Sequence, residues 1–156
     1  MILKEYVEVS NALLTPLIAI LALYIAWRQY RVEHHSLNNQ LYERRYAVFK
    51  AFMAYLSDIM REAKTSYQRT GQFYAEASEA EFFFSGAISN KREDLYSKGL
   101  DLTALHERMY PSDGSPGLPV GEERSQVAKE SAELLKWFSG QIRATRKLFE
   151  AEMKVG

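Results

Sequence analysis

Leu41 to Lys64 reads LYERRYAVFKAFMAYLSDIMREAK, and its apolar spacing decides the fold class. Leu41, Arg45, Val48, Phe52, Tyr55, Ile59 and Ala63 recur at intervals of three and four, which places them on one helical face. Tyr42, Phe49, Met53, Leu56 and Met60 form a second stripe beside it. Two adjoining stripes predict a helix packed on two sides. The expected class is therefore all-α.

Upstream, Val9 to Trp27 reads VSNALLTPLIAILALYIAW, nineteen positions without a charge. At 1.5 Å per residue such a run extends roughly 28 Å, about the hydrocarbon thickness of a bilayer. The N-terminus sets Lys4 against Glu5 and Glu8 and lacks the basic region of a signal peptide. Tyr6 before the run and Tyr24, Trp27 and Tyr30 at its end suit interfacial aromatic belts. Arg28, Arg31, Arg44, Arg45 and Lys50 follow the run and only Lys4 precedes it, so the positive-inside rule puts the N-terminus outside. The expected organisation is an outer tip over 1–8, a transmembrane helix over 9–27 and a juxtamembrane helix or linker over 28–40. A cytoplasmic antiparallel helical bundle follows over 41–156, giving a single-pass protein of the inner membrane. No Pro or Gly falls between Leu17 and Thr70, and Asn38-Asn39 is the expected weak point of the long helix.

Downstream, a second helix is expected over Gln72 to Ile88, burying Phe73, Ala77, Ala80, Phe83, Phe84 and Ala87, with Ser89-Asn90 as its break. Arg92 to Met109 reads as a third, through Leu95, Leu102, Leu105 and Met109, although Gly99 sits in its interior. Tyr110 to Gly121, YPSDGSPGLPVG, is a loop. The last helix is expected over Glu122 to Met153, with Val127, Ser131, Leu134, Phe138, Ile142, Thr145 and Phe149 facing inward. The first and last helices form the long walls.

The net charge of zero gives no global field for nucleic acid, and no direct nucleic-acid partner is expected. The lack of cysteine removes disulfides, thiolate metal sites and thiol nucleophiles. No Glu-x-x-His pair, P-loop, dinucleotide fingerprint, nucleophile elbow or zinc motif occurs, so no cofactor or metal is expected. Glu76, Glu79 and Glu81 read as a solvated acidic cluster.

Four sets of residues carry functional expectations. Ala12, Thr15, Ala19, Ala22 and Ala26 alternate intervals of three and four along the expected span. Small residues let helices approach closely in lipid, so this stripe predicts a homo-oligomer interface. Gln29, Glu33, Ser36 and Gln40 continue the stripe as a polar collar inside the membrane. Arg28, Arg31, Arg44 and Arg45 suit anionic lipid headgroups, while one of the last two is expected to pair inside the bundle with Glu81. Five residues separate Arg28 from His34.

The segments Leu41 to Phe52, Ala80 to Gly86 and Gly121 to Phe149 resemble the LYERRYAVFKAF, AEFFFSG and GEER...LLKWF...LF segments of a group of small bacterial single-pass membrane proteins. That resemblance implies layout and no activity. In architecture alone, the chain is similar to membrane accessory proteins of bacterial antiviral, CRISPR-type systems, some of which assemble into rings. The Arg28/His34 spacing resembles the R-x4-6-H pattern of HEPN ribonucleases, which implies His34 as acid or base with Arg28 on the phosphodiester. The expected function is non-enzymatic: self-association at the membrane, lipid contact and action through assembly, as in a membrane-permeabilising effector of antiviral defence. The alternatives are a tethered HEPN-like ribonuclease and a monomeric adaptor for a cytoplasmic protein partner.

Overall fold

In the computed structural model the backbone is described over residues 2–153, and side chains over 16–31 and 40–153. Among the described residues there are five α-helices: α1 Ile2–Glu62, α2 Tyr67–Glu76, α3 Ala80–Phe83, α4 Gly86–Met109 and α5 Glu122–Met153. No strand occurs among the described residues. The chain divides into two units, Met1–Glu43 and Arg44–Gly156.

In the first unit the backbone is helical through Asn38-Asn39. Pro16 lies inside α1 and brings no backbone N–H to the ladder. Among the described residues no helix is long and apolar enough to cross a membrane. The side chains of 9–15, the first part of the expected span, lie outside the described residues.

The second unit is a helical bundle. Val48, Phe52, Tyr55 and Ile59 of α1 are buried, as the first apolar stripe predicts for its middle turns, and Leu56 of the second stripe is buried with them. Its ends differ. Leu41 is exposed, and Ala63 is exposed and has left α1, with φ +54°. The Ala63 N–H still reaches the Ile59 carbonyl at 2.8 Å, so this residue closes the helix in the left-handed conformation that glycine usually supplies. Ser66 then opens α2, its Oγ accepting from the Arg69 N–H at 3.1 Å.

The expected single helix over Gln72 to Ile88 is two short helices and the start of a third. Ala77 caps α2, and its N–H bonds back to Phe73 O at 2.9 Å. After the single turn of α3, Phe84 turns extended and Ser85 opens α4, accepting from the Ala87 N–H at 3.3 Å. Ser89-Asn90 therefore lies inside α4 and breaks nothing. Phe73, Ala77 and Ala80 are buried as expected, whereas Ala87 is exposed on the first turn of α4. Three contacts mark α4 and α5 as antiparallel. Lys91 Nζ donates to Gln141 Oε1 at 2.9 Å, Arg108 Nη2 meets Glu123 Oε1 at 2.9 Å, and Ser85 bonds Glu152 through its N–H and Oγ. Val127, Ser131, Phe138, Thr145 and Phe149 are buried along α5, with Leu134 and Ile142 half-buried.

Gly99 has a packing role that its sequence position does not suggest. A Cβ there would collide with the Tyr55 hydroxyl and stand 3.0 Å from Thr70 Cγ2. The missing side chain lets Tyr55 enter the bundle fully buried, where its hydroxyl meets Thr70 Oγ1 at 3.0 Å and Thr65 Oγ1 lies 3.3 Å further on. Burial pushes the Tyr55 phenol pKa up against those hydrogen bonds, so it stays neutral. Helix propensity alone favours Ala over Gly by about 1 kcal/mol. The collision outweighs it: Gly99→Ala is expected to destabilise by about 1–3 kcal/mol in chemical denaturation. Tyr55→Phe in the same chain should recover part of that loss, and strict additivity of the two changes would show that the hydroxyl does not occupy the Gly99 seat.

Candidate functional site

In the first unit, Leu17, Ile18, Ile20, Leu21, Leu23, Tyr24, Ile25 and Trp27 are between 46% and 77% exposed. At about 100° per residue these eight side chains cover some 220° of the helix surface. Ala19, Ala22 and Ala26, also exposed, fill the remaining sector. This stretch has no polar face. Arg31 sets its guanidinium 5.3 Å from the Trp27 ring centre, and Arg28 and Gln29 are exposed. Ala12, Thr15, Glu33, His34 and Ser36 lie outside the residues whose side chains are described, so the stripe is seen in three of its five members and the Arg28/His34 pair in one of two. Gln40 is exposed.

In the second unit Arg44 is exposed and Arg45 half-buried. The expected partner of Arg45 is corrected: its guanidinium stands 5.6 Å from the Phe84 ring centre, and Glu81 pairs with Arg92 instead. The reason lies in the helix order. The turn at 77–79 carries Glu81 onto α4, while Phe84, extended after α3, is what meets α1.

Arg92 is a charged group buried in the bundle, at 3% exposure. Its Nη2 donates to Glu93 Oε1 at 2.9 Å and to Glu81 Oε1, and Nη1 reaches the Ser78 carbonyl at 3.3 Å. The guanidinium lies 4.5 Å from the Tyr74 ring centre, and the Tyr74 hydroxyl donates to Glu93 at 2.9 Å. Burial by itself lowers the Arg92 pKa, but the hydrogen bonds that Arg92 donates to Glu81 and Glu93, with the nearby negative charge, outweigh it and hold the cation charged. The bond from Arg92 likewise draws the Glu93 carboxyl below its ordinary range. One group ties α2, the turn, α3 and α4 together. Arg92 Nε is buried without a partner.

Among the described residues of the bundle, two open hollows carry charged side chains. One, of about 420 Å³, lies where α1 turns into α2 and is lined by Asp58, Arg61, Lys64, Arg69, His106 and Ser112 among others. Asp58 takes both Arg69 Nε at 3.0 Å and Arg61 Nη2 at 2.9 Å, and Glu107 accepts from the Ser112 N–H and hydroxyl. Its cations and carboxylates largely neutralise each other. The other, of about 500 Å³, runs between α4 and α5. Among the described residues no three His, Asp or Glu side chains converge as metal ligands. No family model, curated protein or solved structure matches the chain.

The sequence offered no periodic signal for Arg92, because a charge on an amphipathic helix reads as solvated by default. The asymmetry of the cluster is testable. Glu81 and Glu93 are about half exposed, so water can take them when Arg92 is lost, whereas Arg92 left without them is a buried charge. Glu81→Gln with Glu93→Gln is expected to cost about 2–3 kcal/mol, and Arg92→Met about 1 kcal/mol, in thermal or chemical unfolding. The reverse order would reject Arg92 as a buried cation held by its acids. The Glu93 share of stability is present above the ordinary carboxylate pKa and is lost as pH falls through its lowered value.

Proposed function

We propose that the chain is a single-pass membrane protein that works through assembly rather than catalysis, with Val9–Trp27 as its anchor and the bundle at the cytoplasmic face. One observation carries the reading: the exposed stretch 17–27 is apolar on every side. Burying a large apolar side chain is worth about 1.5–3 kcal/mol, and eight of them facing water would be a heavy penalty. A helix apolar all round belongs in a core or in lipid, and a run of this kind far exceeds an ordinary surface patch. The nineteen uncharged positions supply the length, and the basic residues from Arg28 supply the orientation. Ala19, Ala22 and Ala26 offer the narrow sector along which two such helices could approach, with Ala12 and Thr15 extending it in sequence. Arg28, Arg31 and Arg44 would meet anionic headgroups.

The test is insertion and orientation together. The full chain should resist carbonate extraction, and a reporter fused after Gly156 should be active only if it works in the cytoplasm. Ile20→Lys with Leu21→Lys should release the chain, since a central Lys costs about 2.5–3.5 kcal/mol on the insertion scale. Release of the unaltered chain by carbonate, or activity of a periplasmic reporter, would overturn the reading.

A further inference from the structure

The groove between α4 and α5 has an apolar floor of Leu105, Leu134 and Trp137, each half-buried. Its walls differ in sign. Lys98 and Arg108 stand on the α4 side, Glu130 and Glu133 on the α5 side. Asp101 also lines the α4 wall, 3.6 Å from Lys98 Nζ, so that wall keeps one net positive charge against two negative charges opposite.

We infer that this groove seats the same groove of a second copy, related by a two-fold axis lying along α4 and α5. Charge complementarity selects both the partner and the axis. A self-complementary interface is the form a two-fold dimer takes. Rotation about an axis along the helices sets α4 of one copy opposite α5 of the other, at the same height. The basic wall then faces the acidic wall twice over. Rotation about an axis across the helices would set α4 on α4 and α5 on α5, like charge on like. The Lys98–Asp101 and Arg108–Glu123 pairs already present are exposed and worth little, so they can exchange for pairs between copies. Trp137 at the floor is the kind of aromatic anchor around which interface energy concentrates.

Two charge-reversed variants of the full chain test this in detergent by light scattering, with circular dichroism to verify the helix content. The unaltered chain is expected to be dimeric. Lys98→Glu/Arg108→Glu and Glu130→Lys/Glu133→Lys should each dimerise at least about tenfold more weakly, through like charges across the axis. An equimolar mixture of the two should recover dimers containing one chain of each kind. A monomeric unaltered chain, reversal variants that assemble as it does, or a mixture that fails to co-assemble would overturn the inference. Carbonate extraction of the same proteins reads the membrane anchor separately. A chain that dimerises through the groove but is released by carbonate would retire the anchor and leave the groove interface standing.

Discussion

The bundle depends on an aromatic chain that begins on α1 and reaches almost every other helix. Phe149 of α5 meets Phe49 at 5.3 Å and Phe52 at 5.1 Å between ring centres, both edge-on, and Phe84 closes on it at 5.0 Å. Phe52 passes the contact to Phe73 of α2 at 5.2 Å, and Phe73 stacks on Tyr55 at 4.3 Å. Edge-to-face and offset pairs of this kind contribute about 0.5–1.5 kcal/mol each beyond the area they bury. Their geometry matters as much as their energy. Each ring fixes the tilt of the next, so the positions of α2, α5 and the segment after α3 follow from three α1 side chains.

Polar groups finish what the rings begin. The Tyr55 hydroxyl extends the chain to Thr70 and across the Gly99 backbone to α4. Arg92, two turns before Gly99 on the same face of α4, binds that helix to α2 and α3 through two carboxylates, a carbonyl and a phenol ring. The two arrangements differ in kind. The Tyr55 hydroxyl has buried, neutral threonine hydroxyls for partners, while around Arg92 a buried cation draws on acids that remain half in water. The first resists change in pH and salt; the second answers to acid through Glu93.

How far this was legible follows from what periodicity encodes. Spacings of three and four say which side chains share a face, and the inward faces of α1 from Val48 to Ile59 and of α5 from Val127 to Phe149 were readable for that reason. The loop after Met109 was readable from its Pro and Gly. Periodicity does not say where a helix stops when no Pro or Gly marks the place. Ala63 leaves α1 in a left-handed conformation, and the Gln72–Ile88 pattern continues through two interruptions because Phe73, Ala77 and Ala80 stay buried across the first. Ser85 was the available signal for the start of α4, an N-cap type directly before Gly86, and it was the better marker than Ser89-Asn90. Pairings were less legible still. Glu81 was identifiable as the carboxylate partner of an arginine, but Arg45 and Arg92 could be told apart only by the fold. Of the functional residues, the apolar stretch was evident from charge alone. The groove was not, because its two walls come from helices whose register only packing sets.

The seat of Tyr55 over Gly99 also has a mechanical meaning. A helix that slips past its neighbour moves by a turn, about 5.4 Å, which would replace the glycine with Leu95 or Thr103. Either side chain would meet the hydroxyl where no room exists, so α4 cannot ratchet along α1. The two helices are keyed like a shaft and its pin. Rotation or axial thrust applied to the 44–62 segment of α1 is therefore carried to α4, the basic wall of the groove, without loss of register.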